Sequence, residues 1–180
     1  MLNNALEALD TTAEMDIHIT PDGGAEWNGR RLVCAIGRGR LTRDKREGDG
    51  ATPVGSFPLR QVLYRADRLA RPETLLPARA LHPLDAWCDA PDDPGYNRLV
   101  RQPHGASFEL MWRADHLYDL VVVVGYNDDP VVPGRGSAIF LHLARDDFSP
   151  TEGCVAFGRE TLLKILAECD ADTRLTVSDT

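Results

Sequence analysis

Residues Gly134 to Phe157 read Gly-Arg-Gly-Ser-Ala-Ile-Phe-Leu-His-Leu-Ala-Arg-Asp-Asp-Phe-Ser-Pro-Thr-Glu-Gly-Cys-Val-Ala-Phe. An apolar run, Ala138 to Leu141, delivers His142. A polar loop with Pro150 follows, and Thr151-Glu152-Gly153-Cys154 opens a second apolar run. The pattern predicts two strands joined by a loop, a hairpin that brings an imidazole to a thiol. A thiol is a weak nucleophile near neutral pH until a neighbouring base takes its proton. Gly153 lets the backbone turn tightly before the thiol, so that its own N–H and that of Cys154 can point at a developing oxyanion. The alternative is a buried structural cysteine beside an unrelated histidine, because free cysteine is among the most buried residue types.

Outward from this stretch the chain is mostly extended. Asp16 to Thr20 alternates as a strand does, and Asn28-Gly29 is the strongest two-residue hairpin signal. Arg31 to Ile36 is the expected returning strand, and the basic segment to Gly50 reads as a loop. Ser56 to Tyr64 reads as a strand whose Pro58 suggests an edge or a strand start. Leu120 to Val124 is β-branched without alternation, the pattern of a strand buried on both faces. Ala106 to Trp112 fits a strand or a helical turn equally. Glu160 to Cys169 places Leu162, Ile165, Leu166 and Cys169 on one helical face, and Thr173 to Val177 closes with a strand. The sum is a β-dominated α+β domain over residues 16–180 with one clear helix near the C-terminus. Residues 1–15 form an arm with weak helical spacing (Leu2, Ala5, Leu6, Leu9).

A chain of 180 residues suits one domain, and 43% hydrophobic with 27% charged residues argues for a folded protein. The net charge of -8 argues against nucleic acid or an anionic membrane surface as partner. Arg30, Arg31, Arg38, Arg40, Arg43, Lys45 and Arg46 are nonetheless clustered, as a solvated loop face or as a docking patch for a carboxylate-rich substrate. Cys34, Cys88, Cys154 and Cys169 lack zinc-site spacing, so neither a metal nor a cofactor is expected. Cys34 and Cys169 read as core; the even count permits a disulfide without indicating a pairing. His18, His82, His104 and His116 read as surface or structural histidines. The first sixteen residues lack the basic start and unbroken apolar stretch of a signal peptide, and no run is long enough to span a membrane. As it stands, the sequence predicts a cytoplasmic protein, with a periplasmic one as the alternative if it is exported by another route or if the true start is missing.

The run from Gly134 to Cys154 resembles the catalytic motif of the L,D-transpeptidases (the YkuD-type family), in which a His on one strand precedes a Ser/Thr-His-Gly-Cys segment. Gly48-Asp49-Gly50-Ala51-Thr52-Pro53-Val54-Gly55-Ser56-Phe57 resembles that family's Thr-Pro-x-Gly-x-Phe segment. Asp115-His116-Leu117-Tyr118-Asp119 and Gly125-Tyr126-Asn127 are similar to segments of a subgroup. The resemblance covers nearly all of the chain from Asp16. It implies a mixed β-sheet domain that acts on peptidoglycan stem peptides or muropeptides. Cys154 falls on the nucleophile, His142 on its base, the Leu143 carbonyl on the group that orients the ring, and Gly153 on an oxyanion N–H. Tyr126, Asn127, Thr151, Glu152 and Arg145 are the expected substrate contacts.

The chain departs from the family pattern at Glu152, where a second His is usual, and at Ala156, where Arg or Asn is common. The separation of His142 from Cys154 is also shorter than usual. A carboxylate at Glu152 would raise the thiol's pKa and repel an anionic peptide unless it points outward or pairs with Arg145 or Arg159. Three functions follow: an L,D-transpeptidase working through a Cys154 thioester; a cytoplasmic L,D-carboxypeptidase that trims muropeptide tetrapeptides in recycling; and a catalytically idle stem-peptide binding module.

Overall fold

A computed structural model describes residues 15–180. The arm expected over residues 1–15 therefore lies, but for Met15, outside the described residues. The chain begins with the strands β1 (Ile17–Ile19), β2 (Ala25–Trp27), β3 (Arg30–Leu32), β4 (Cys34–Ala35), β5 (Leu41–Thr42), β6 (Thr52–Pro53) and β7 (Gly55–Tyr64). It continues through β8 (Ala78–Ala80), β9 (Asp85–Cys88), β10 (Leu99–Arg101), β11 (Phe108–Leu110), β12 (Leu120–Val124), β13 (Phe140–Leu143) and β14 (Val155–Phe157). One helix, α1 (Arg159–Glu168), precedes the last strand, β15 (Arg174–Val177). The fold is β-dominated with one helix near the C-terminus, as the sequence pattern requires.

The main sheet runs β3-β2-β1-β15-β7-β12-β13-β14-β4, with β8 beside the end of β7. A smaller sheet, β10-β9-β11, lies over one face of it, and β5 pairs with β6. Strand β12 is buried along its whole length: Leu120, Val122 and Val124 face the larger core, and Val121 and Val123 face the second. The larger core holds Leu162, Ile165 and Leu166 of α1 against Ile17, Ile19, Leu141 and Phe157. In the second core, Trp87 of the small sheet meets Phe140 edge-on at 5.0 Å.

Three expectations change. The strand expected over Arg31 to Ile36 divides at exposed Val33 into β3, paired with β2, and β4, paired with β14. The basic segment is not all loop, since Leu41 and Thr42 pair with Thr52 and Pro53. Pro58 marks no edge, because β7 is interior, with β15 and β12 on either side. Its carbonyl accepts the Gly125 N–H (2.8 Å), so the side on which proline lacks a donor faces the end of β12. The register shifts there, between Val123 and Val124, and the irregular ladder accommodates the missing hydrogen bond. Ala106 to Trp112 contains strand β11.

Candidate active site

Strands β13 and β14 are adjacent and parallel, with Leu141 opposite Val155 and His142 opposite Ala156. The expected hairpin is thus a crossover. The intervening loop returns to the starting end of β13 because Thr151 is pinned there: its N–H donates to the Ile36 carbonyl (3.0 Å) and its carbonyl accepts the Arg38 N–H (2.8 Å). One step back along β14 sets Cys154 level with Phe140. Since side chains alternate along a strand, Phe140, His142 and Cys154 share one face, whereas Leu141 and Leu143 enter the larger core. The thiol and imidazole are diagonal neighbours on adjacent strands.

The imidazole has a fixed tautomer. His142 Nδ1 lies 2.9 Å from the Leu143 carbonyl, which only accepts, so Nδ1 carries the proton and Nε2 keeps its lone pair. Tyr118 packs edge-on against the ring at 5.3 Å. Burial pushes the His142 pKa down to about 4, and the Leu143 hydrogen bond opposes that only partly. Cys154 Sγ–H donates to the Ala138 carbonyl (3.1 Å), and Sγ accepts the Phe140 N–H (3.4 Å). Burial, with the nearby Glu109 carboxylate second, pushes the thiol up to about 12. The resting pair is therefore a neutral thiol beside a neutral imidazole.

The turn before Cys154 is braced from the Thr-Pro segment. Thr52 Oγ1 donates to the Gly153 carbonyl (2.9 Å) and accepts the Gly37 N–H (2.9 Å). Gly153 has φ +132°, and a Cβ there would meet the Ala51 carbonyl oxygen at 2.9 Å, so both the backbone conformation and the space demand glycine. Its N–H donates to Thr151 Oγ1 (3.2 Å) and is not free for an oxyanion in this conformation, a correction to the sequence expectation. The Thr151 hydroxyl in turn donates to the Cys154 carbonyl (2.6 Å), so Thr151 closes the turn as well as bordering the cavity.

His142 and Cys154 open onto a cavity of about 470 Å³ whose wall includes Arg145, Thr151 and Glu152. Glu152 is exposed and pairs with Arg38 (2.7 Å), not with Arg145 or Arg159. Tyr126 and Asn127, expected to contact substrate, do not line this cavity. Their side chains are committed to the following loop: the Tyr126 hydroxyl donates to the Arg135 carbonyl, and Asn127 Nδ2 donates to the carbonyls of Val132 (3.0 Å) and Gly136 (2.8 Å). Sequence reasoning missed Glu47, Asp89, Glu109, Arg113, Tyr118 and Ser137 on the cavity wall, which also carries Lys45 of the basic cluster. Lys45 and Glu47 directly precede the Gly48-Asp49-Gly50 motif, and Tyr118 stands within Asp115 to Asp119. The sequence carries no comparable signal for Asp89 or Glu109.

The basic cluster is largely paired internally: Arg31 with Asp22, Arg43 with Asp179, Lys45 with Asp49 and Arg46 with Asp44. All four cysteines are free thiols. Away from the cavity, Cys88, Asp93 and His104 bring three donor atoms within 4.8 Å of one another, the one group among the described residues close enough to share a cation. His116 is structural, with Nε2 3.0 Å from the Ala144 carbonyl. No described helix is long and apolar enough to cross a membrane.

A family model for the L,D-transpeptidase catalytic domain (YkuD) matches residues 12–177. No individual curated protein and no solved structure gives a match. The family match spans nearly the whole chain, including both strands of the His–Cys pair and the Thr-Pro segment beneath them, and the chain therefore belongs to the L,D-transpeptidase catalytic domain family of peptidoglycan enzymes.

Proposed function

We propose that the protein is a cysteine acyl-transfer enzyme that cleaves a peptidoglycan stem tetrapeptide through a Cys154 thioester. The observation that carries this reading is the His142 Nδ1–Leu143 carbonyl hydrogen bond (2.9 Å), which leaves Nε2 as a base on the same sheet face as Cys154. The Leu143 carbonyl does the orienting work that a carboxylate does in a Ser-His-Asp triad. As Sγ attacks the carbonyl carbon of a diaminopimelate-type residue, its proton passes to Nε2 and then to the departing amine of the terminal D-amino acid. The Cys154 backbone N–H is the first candidate oxyanion donor, and the Gly153 N–H joins it once it leaves Thr151. Arg145, exposed at the rim without a carboxylate partner among the described residues, is the candidate to meet the peptide's terminal carboxylate. An amine acceptor completes transpeptidation or amino-acid exchange; water completes trimming.

The test is incubation with a disaccharide-tetrapeptide, with and without a free D-amino acid, followed by mass spectrometry of product and protein. A thioester on Cys154 and loss of the terminal residue are expected, with an exchanged product marking transpeptidation and a tripeptide alone marking hydrolysis. Cys154→Ala should remove both adduct and product while leaving the fold intact. Product formation by that variant at the parent rate would remove Cys154 as nucleophile.

A further inference from the structure

The small sheet carries a second cluster of reactive groups, away from the cavity. Cys88 ends β9, Asp93 lies in the loop from β9 to β10, and His104 lies in the loop from β10 to β11. Pairing of β9 with both neighbours brings these segments to one corner of the sheet. There the Cys88 thiol, an Asp93 carboxylate oxygen and a His104 ring nitrogen lie within 4.8 Å of one another. Three donors of three kinds, from three separate segments, leave no zinc-site spacing to read, which is why the cysteine positions raised no expectation of a metal.

A second observation comes from the imidazole. His104 Nε2 is buried and has no hydrogen-bond partner among the described residues. It stands 3.5 Å from Asp93 Oδ1, longer than a good hydrogen bond. Buried polar atoms are nearly always satisfied, so an orphaned ring nitrogen beside a thiol and a carboxylate points to a shared cation. The spacing agrees. Bonds of about 2.1 Å from Zn²⁺ to nitrogen and oxygen set those two atoms about 3.4 Å apart on a tetrahedron. An edge to sulphur is about 3.6 Å, so at most about 1.2 Å of closure from the 4.8 Å limit brings the thiol in. Asp93 is already oriented, because its Oδ1 accepts the Gly95 N–H (2.7 Å) and its own N–H donates to the Ala90 carbonyl (3.1 Å). Cys88 is fully buried, whereas Asp93 and His104 are part-exposed, so a cation reaches the thiol past them.

We infer that Cys88, Asp93 and His104 form a binding site for one Zn²⁺ ion. A sulphur, a nitrogen and an oxygen donor suit this borderline-soft cation, whereas Ca²⁺ and Mg²⁺ take oxygen sets. As the Zn–S bond forms, the Cys88 S–H gives its proton to solvent, and water takes the fourth position. The ion ties the loop over 89–98 to the loop over 102–107. The first of these carries Asn97, whose Oδ1 accepts the Ala138 N–H (3.0 Å) and whose Nδ2 donates to the carbonyls of Tyr126 (2.9 Å) and Asn127 (2.8 Å). The Ala138 carbonyl in turn accepts the Cys154 thiol, so the ion anchors a loop that braces the cavity from behind. The inference is independent of what reaction Cys154 performs.

The test is a Co²⁺ titration of the chelator-treated full chain, read by absorption and followed by displacement with Zn²⁺. A thiolate-to-cobalt charge-transfer band that saturates at one ion per chain and disappears on adding Zn²⁺ is expected. Cys154→Ala should leave the band unchanged, and Cys88→Ser should abolish it. His104→Ala, at a part-exposed side chain, provides a second variant should Cys88→Ser fold poorly. Measured by competition with a chromogenic chelator, it should weaken Zn²⁺ binding at least a hundredfold, since even an outer-shell partner is worth about 10–100-fold. Absence of the band in the native chain, its loss in Cys154→Ala, its persistence in Cys88→Ser, or unchanged Zn²⁺ affinity in His104→Ala overturns the site.

Discussion

At the proposed nucleophile, the buried setting sets two opposing demands. Cys154 must lose a proton, yet burial pushes its pKa to about 12 and that of His142 down to about 4. A resting thiolate–imidazolium pair is disfavoured, so on the acyl-transfer reading proposed above the proton would move with the attack on substrate rather than before it. His142 also stays neutral, and competent as a base, well below the pH at which an exposed histidine is protonated. The rate of thioester formation in a single turnover should therefore stay within about twofold from pH 5.5 to 7.5, with its acid limb below pH 5. A limb centred near pH 6.5 would mean that His142 is solvated and that the neutral pair is wrong. Glu152 need not disturb this balance, because it is turned out to Arg38 and away from the thiol's hydrogen-bond partners.

The strand that carries Cys154 is positioned by elements far away in the chain. Gly37 sits where the loop before β14, the segment before β6 and the end of β4 meet. A Cβ there would lie 2.3 Å from the Gly50 carbonyl oxygen, 2.9 Å from Gly153 Cα and 3.0 Å from the Thr52 N. All three are backbone atoms that cannot swing aside. Gly37→Ala should cost about 1–3 kcal/mol by overpacking and slow thioester formation, because relief of the clash moves the Gly153 turn. An unchanged urea midpoint together with an unchanged acylation rate would show that the junction is slack. This junction also explains which parts of the fold were legible. Leu120 to Val124 announced burial on both faces because five apolar residues leave no polar side, and α1 showed its inward face by spacing alone. The direction of β14 relative to β13 was hidden. A hairpin and a crossover have the same local alternation, and the hydrogen bonds that choose between them come from Ile36 and Arg38. The closeness of Cys154 to His142 was legible because both belong to one motif, whereas the His142–Leu143 carbonyl contact was expected only through the family resemblance. The acidic wall was not, because Glu109 and Asp89 reach the cavity only through the packing of β9 and β11 over the main sheet.

Across the whole molecule, the site imposes a pH-dependent cost on folding. His142 is buried and neutral in the folded chain, with a pKa of about 4 against an ordinary 6.5. Between those values the unfolded chain binds the extra proton and the folded chain does not. Stability must then rise with pH across this window, and it is lost as pH falls toward the folded value. From pH 6.5 to 4.5 the loss from this residue is roughly 2–3 kcal/mol, a large share of the stability of an ordinary domain. Glu109 acts with the opposite sign: its pKa is raised, so acidification relieves an unfavourable buried charge. Asp22, Asp49 and Asp115, whose pKa values are lowered by hydrogen bonds and cations, lose their contributions only below the ordinary carboxylate range. Comparing the parent with His142→Gln isolates the histidine, because the carboxylates are common to both. Urea unfolding at pH 4.5, 5.5, 6.5 and 7.5 should give a parent curve that falls on the acid side and a variant curve that is flatter by about 2 kcal/mol across the window. Parallel curves would mean that His142 is protonated as readily in the folded chain as in the unfolded one, and the neutral base assigned to it would have to be abandoned along with the pH-independent acylation it predicts.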